Sequence, residues 1–109
     1  MKTFGKVLFQ GHLAGKLEKT PDRRYRFTYS PEYLASPSAR AVSLTLPLRQ
    51  KPYESPHLFS FFSGLLAEGS LKEMQCRILK IDPNDEYTRL LKTAGGDVIG
   101  AVTVEEAQE

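Results

Sequence analysis

Hydrophobic and polar positions follow a period of two through the first part of the chain and a helical period through most of the second. Residues 4–9 are rich in β-formers, Gln10-Gly11 is a turn signal, and residues 12–18 can return as the partner strand of a hairpin. Thr20-Pro21-Asp22 interrupts the pattern. Arg24, Arg26 and Thr28 then alternate with Tyr25, Phe27 and Tyr29, the signature of a half-buried antiparallel strand with its rings on one side. Ser30-Pro31-Glu32-Tyr33-Leu34 predicts a short helical turn, with Ser30 as cap and Pro31 in the first helical position. Val42, Leu44, Leu46 and Leu48 alternate with Ser43, Thr45, Pro47 and Arg49. That predicts another one-sided strand, at an edge or ending near Pro47, because proline cannot donate to a ladder.

Helical spacing begins near Leu58. Phe62, Leu65 and Leu66 can share one face, and a turn is expected near Glu68-Gly69. A second helix is expected over 70–79, with Leu71, Met74, Ile78 and Leu79 turned inward. Asp82-Pro83-Asn84-Asp85 reads as a third helix start, Tyr87, Leu90 and Leu91 face inward, and Gly95-Gly96 stops that helix. Val98, Gly100, Val102 and Val104 predict a last strand ended by the acidic tail. Strands, then helices, then one strand make an α+β fold: a small, mainly antiparallel sheet with two or three helices packed on one face.

Length changes this picture little. The 109 residues suit a single domain over 1–109, large enough to bury roughly 60–70% of its unfolded surface. No run approaches the ~20 apolar residues of a membrane span, and the first residues lack the apolar stretch of a secretion signal. Cys76 is the only cysteine, so no internal disulfide is possible; both features fit a cytoplasmic protein. Charge says more. Residues 1–51 hold ten Lys/Arg against three Asp/Glu, a balance of 10 − 3 = +7, and residues 52–109 hold five against ten, a balance of 5 − 10 = −5. Either the two segments neutralise each other in the fold, or the basic one meets an acidic protein surface or phosphates.

Most catalytic chemistry finds no support. Gly5, Gly11 and Gly15 lack the spacing and following helix of a phosphate loop, and Gly95-Gly96 follows a helix where such a loop would precede one. His12 and His57 have no second ligand at metal spacing, and Ser63 and Ser70 have no base beside them in sequence. Cys76 falls in an amphipathic helix, where a buried inert thiol is expected. The chain is therefore read as a non-enzyme without cofactor or metal. Arg23, Arg24 and Arg26 interleave with aromatics, as in sheets that stack on bases, but strict alternation sends the rings into the core and the arginines to the other face. The segment over 59–71 stands out instead. It carries Phe59, Phe61, Phe62, Leu65, Leu66 and Leu71, more apolar surface than one helix face buries, which makes it a candidate protein contact.

Five blocks along the chain resemble, in order, the N-terminal subdomain of the HipA family of serine/threonine kinases. Phe4-Gly5-Lys6-Val7 with Gly15-Lys16-Leu17 resembles that family's opening hairpin. Phe27-Thr28-Tyr29-Ser30-Pro31-Glu32-Tyr33-Leu34 resembles its F-x-Y-x-x-x-[WY]-L stretch, and the run 41–48 its P-L-S-L-S-L-P-L stretch. The run 61–69 resembles F-F-[ED]-[NG]-L-L-P-[ED]-[GN], and the run 90–102 resembles L-L-x-x-x-G-x-D-x-x-G-A-[VL].

The family's ATP-binding lysine, catalytic and metal-binding aspartates and activation loop have no counterpart here, and a kinase site needs those parts. The resemblance therefore implies a free-standing subdomain, similar to the small member of split HipBST-type toxin–antitoxin systems. It implies an antitoxin that docks on a separate HipT-like serine/threonine kinase and inhibits it, in a ternary complex with a HipB-like DNA-binding protein. No direct nucleic-acid binding by this chain alone is expected. A structural subunit that completes the kinase without inhibiting it is the alternative, and a nucleic-acid-binding module a more distant one. The residues expected at the partner contact are Phe61, Glu68, Gly69, Ser70 and Leu71. Two positions depart from the family pattern: Ala67 replaces a common proline, and Ser70 stands where a bulky aromatic follows the E-G pair. A serine cannot plug a cleft as a large ring can.

Overall fold

In the computed structural model of the chain, residues 3–95 and 101–108 are described. They form one five-stranded sheet, antiparallel at every pairing, in the order β4 (Tyr53–Ser55), β3 (Tyr25–Tyr29), β2 (His12–Lys19), β1 (Thr3–Phe9) and β5 (Val102–Gln108). β1 (Thr3–Phe9) and β2 (His12–Lys19) make the predicted hairpin. Its two-residue turn has positive φ at both Gln10 (50°) and Gly11 (83°), the mirror-type turn whose twist matches paired strands. A bulge after Val7 lets Leu8 pair with Leu13, so Ala14 is an extra residue in β2. β3 (Tyr25–Tyr29) pairs with β2, and β5 (Val102–Gln108) pairs with β1 along its whole length.

One sheet face is apolar. Val7, Leu17, Phe27 and Val104 are fully buried there, and Tyr29 nearly so. α1 (Pro31–Ala35) lays Tyr33 parallel to the Tyr29 ring at 6.2 Å. α2 (Ser60–Ser63) inserts Phe62 against Phe27, ring centroids 5.6 Å apart. α4 (Glu86–Thr93) buries Tyr87, Leu90 and Leu91. The opposite face carries the charges expected there. Arg26 sits 3.7 Å from Glu18 and 3.4 Å from Glu54, and Lys6 is in register with Lys16 and Glu105. Arg26–Glu54 joins the basic and acidic halves of the sequence; Lys92–Glu106, at 2.7 Å, lies within the acidic half.

Several local expectations are corrected. Residues 42–48 form no strand. Tyr29 donates its hydroxyl hydrogen to the Leu46 carbonyl and accepts from the Val42 amide, and a turn closes between Ser43 and Leu46. Val42 and Leu46 are buried while Leu44 is 99% exposed, so the alternation belongs to a loop pinned by a tyrosine. The fourth strand is instead β4 (Tyr53–Ser55), on the edge beside β3. Ser30 occupies the cap position of α1 but does not cap it. Its hydroxyl donates to Glu32 at 2.8 Å, holding that carboxyl below its ordinary pKa, and Pro31 needs no amide partner. The helix predicted from Asp82 starts later: Asp82 accepts from the Asn84 amide in a local turn, and Asp85 is the cap, accepting from the Thr88 amide at 3.1 Å. Gly95 follows the end of α4, whereas Gly96, Val98 and Gly100 lie outside the described residues. β5 runs through Glu105 and Glu106 rather than stopping at them.

Candidate docking surface

The apolar surplus over 59–71 divides between core and surface. Phe62 is fully buried, and Phe59 and Phe61 pack edge-on around it at 6.2 and 5.2 Å. Leu65 and Leu66 are partly buried against the same core. The phenylalanine-rich stretch is thus mostly core packing.

What remains outside is the next helix. Glu68 is extended, Gly69 turns left-handed at φ 62° with open space around it, and α3 (Gly69–Leu79) begins there. The Glu68 side chain makes no cap hydrogen bond and is exposed at the helix start. Lys80, also left-handed at φ 57°, ends the helix, and the Ile81 amide reaches back to the Cys76 carbonyl at 2.9 Å.

The apolar residues of α3 were expected to face inward. Only Cys76 is buried; Leu71, Met74 and Leu79 are about half exposed (47, 49 and 45%), and Ile78 is 69% exposed. Leu71, Met74 and Ile78 recur at i, i+3 and i+7, so they form one stripe along the helix. Glu68, Glu73, Arg77 and Lys80 are exposed around it, giving a mixed polar rim. An apolar centre with a charged border is the composition of a protein contact.

Four of the five residues expected at the partner contact gather here. Glu68, Gly69, Ser70 and Leu71 are consecutive and exposed at the start of α3. Phe61 sits apart on α2, half-buried against Phe62. Met74 and Ile78 extend the patch, but their spacing is identical to that of a core helix, so the sequence pattern alone points them inward. Arg89 carried no signal. It lies on α4 about 160° around the helix from Leu91, where a solvent-facing residue belongs. It is nevertheless only 4% exposed, and its guanidinium donates to the Ala67 carbonyl at 2.8 Å and the Pro83 carbonyl at 3.5 Å.

The remaining candidate chemistry is dispersed. His12 and His57 are both exposed, on different segments, and Cys76 is buried as expected. Among the described residues no three His, Cys, Asp or Glu side chains gather as a metal site, and no helix is long and apolar enough to cross a membrane. Arg26 lies between Glu18 and Glu54, at 3.7 and 3.4 Å. Hydroxyl partners lower the exposed carboxyls of Asp22 and Glu32, whereas tyrosines packed in the core are raised. Burial raises Tyr29, and burial with the nearby Glu18 and Glu106 charges pushes Tyr87 up to about 12.

Comparison with known proteins places this architecture. The family model of the HipA N-terminal domain matches residues 5–105. An uncharacterized protein of Haemophilus influenzae is 34% identical over 105 residues, covering 96% of this chain and 93% of that protein. A Sinorhizobium fredii protein named "Putative kinase Y4mE" is 30% identical over 96 residues, 88% of this chain but 23% of its own length. Among solved structures, the N-terminal domain of HipA toxin superposes with a TM-score of 0.74 at 28% identity, over all of this chain and 96% of that one. The chain belongs to the HipA N-terminal domain family.

Proposed function

We propose that this protein is a non-catalytic partner of a separate HipA-like serine/threonine kinase, docking through α3 and holding the kinase inactive as an antitoxin. The observation that carries the reading is the stripe of Leu71, Met74 and Ile78, left outward on a helix that buries one side chain. Solvent-exposed leucine, methionine and isoleucine in one row gain free energy only when something covers them. The relatives support the same direction: the module makes up nearly all of one protein and about a quarter of another that is named as a kinase.

Inhibition by this route needs no reactive group. A lobe seated beside a nucleotide cleft blocks substrate entry or prevents closure. The HipT-like kinase is the direct contact, a HipB-like DNA-binding protein completes the complex, and the assembly works in the cytoplasm. DNA is left to the third component.

Ser70 favours a second reading. It is exposed at the first turn of α3, where a small hydroxyl fills little of any cleft. In that case the chain completes the kinase and stabilises the complex without silencing it.

The test mixes the purified chain with a HipA-like kinase core that lacks this module. Titration calorimetry and phosphate incorporation are measured together. A complex with reduced phosphorylation is expected, and Met74→Asp with Ile78→Asp weakens it by about 30-fold or more, the scale of an interface hot spot of ~2 kcal/mol. A complex with level or raised activity selects the structural subunit. No complex with the folded wild-type chain ends both readings.

A further inference from the structure

α3 has little of its own to hold it in place. Its one buried side chain is Cys76, and the apolar stripe that would normally anchor a helix of this length faces outward. A segment with so few buried contacts belongs to the low-stability end of a fold. Its two connections, however, converge on one side chain. Ala67 lies two residues before the helix starts at Gly69, and Pro83 lies four residues after it ends at Leu79. Both carbonyls accept from Arg89, at 2.8 and 3.5 Å. Arg89 projects from α4, which is fastened to the core by Tyr87, Leu90 and Leu91.

We infer that Arg89 is a positioning residue: its buried guanidinium latches both ends of α3 to α4 and so fixes the orientation of the docking helix. This rests on the docking reading above only for its functional consequence. The planar fork suits the task, because its separate N–H groups reach two carbonyls at once, which a lysine ammonium on a flexible stem does poorly. Both partners are main-chain carbonyls, so the latch does not depend on what side chain stands at position 67, the family's proline position. Arg89 is the buried partner and both carbonyls share its one fork, so removing the fork releases both connections together.

The experiment is hydrogen exchange on the full chain carrying Arg89→Met, beside kinase-core binding. Exchange over 69–79 is expected to rise by about tenfold or more while the amides of β1, β2 and β3 keep wild-type protection, a pattern of local and not global opening. Unchanged protection over 69–79 overturns the latch. Arg89→Lys is the second variant, for the case in which Arg89→Met unfolds the whole chain. It keeps the charge and the aliphatic stem but loses the two-pronged reach, and intermediate exchange confined to 69–79 is expected. Sheet and α3 amides opening together in the lysine variant overturn the proposal. The two ideas fail separately. If Arg89→Met loosens α3 while Met74→Asp with Ile78→Asp leaves kinase affinity unchanged, the latch stands and the docking reading falls. If the double variant abolishes binding while Arg89→Met leaves α3 protected, docking stands and the latch falls.

Discussion

α3 and α4 follow one another in the chain and have opposite fates. α4 is the shorter, eight residues against eleven, yet it buries four side chains to α3's one. Both carry apolar residues at helical spacing, so periodicity does not separate them. The difference lies in what each helix meets. α4 reaches a sheet that makes room for it: at Gly5, an added Cβ would stand 2.8 Å from both Leu91 and Val104. α3 meets no such prepared surface. An amphipathic pattern states that a face wants cover, and the remainder of the chain decides whether that cover is its own.

The contrast can be broken or sharpened by substitution. The largest effect is expected in the core: Phe27→Ala removes a fully buried ring that touches Tyr29 and Phe62, and costs roughly 3–5 kcal/mol in denaturant unfolding. Gly15→Ala comes next. Its new methyl would lie 2.5 Å from the Thr28 carbonyl, a main-chain atom that cannot step aside, and a loss of about 1–3 kcal/mol is expected from the same unfolding measurement. Asp85→Ala removes the cap of α4 and lowers stability by about 1 kcal/mol. At the small end, Met74→Ala with Ile78→Ala changes stability by no more than about 0.5 kcal/mol, since surface positions rarely matter more. A loss near the core value there would mean that α3 is covered after all, and the contrast with α4 would collapse.

Alkaline titration probes the α4 side independently. Tyr87 is harder to ionise in the fold than in the open chain, where its pKa is near 10, because burial and two glutamates oppose the phenolate. The folded state therefore holds that proton more tightly. Its contribution is fully present below the unfolded pKa and declines as pH rises from about 10 towards 12. Thermal melts across that range should fall more steeply for the wild type than for Tyr87→Phe, and parallel falls would place the alkaline sensitivity elsewhere.

Much of this architecture was legible in the residues. The hairpin, β3 and the inward face of α4 follow from alternation, turn residues and helical spacing that agree with one another. Over 42–48, leucine at every second position imitates a strand. The tyrosine hydroxyl that makes it a loop is thirteen residues upstream of Val42 and visible only in space. β4 escaped notice because three residues between Pro52 and Pro56 offer no period to count. Asp82 and Asp85 are both acceptable caps, and only the fold chooses between them. The family likeness points to Glu68, Gly69, Ser70 and Leu71, and they are exposed together. Met74, Ile78 and Arg89 show the limit of pattern reading: two apolar residues point out and one cation is buried, each against its type.

The pairing of β1 with β5 sets Thr3 directly across from Gln108. The beginning and end of the described chain are thus neighbours on two adjacent strands. A unit built this way can be spliced into a longer polypeptide, or lifted out of one, without its sheet having to reorganise. The same closure allows a circular permutant, joined across that gap and reopened at Gln10-Gly11, to keep every strand beside its present neighbour. Such geometry offers a simple physical basis for the same lobe occurring as nearly an entire small protein in one bacterium and as a fraction of a much longer one in another.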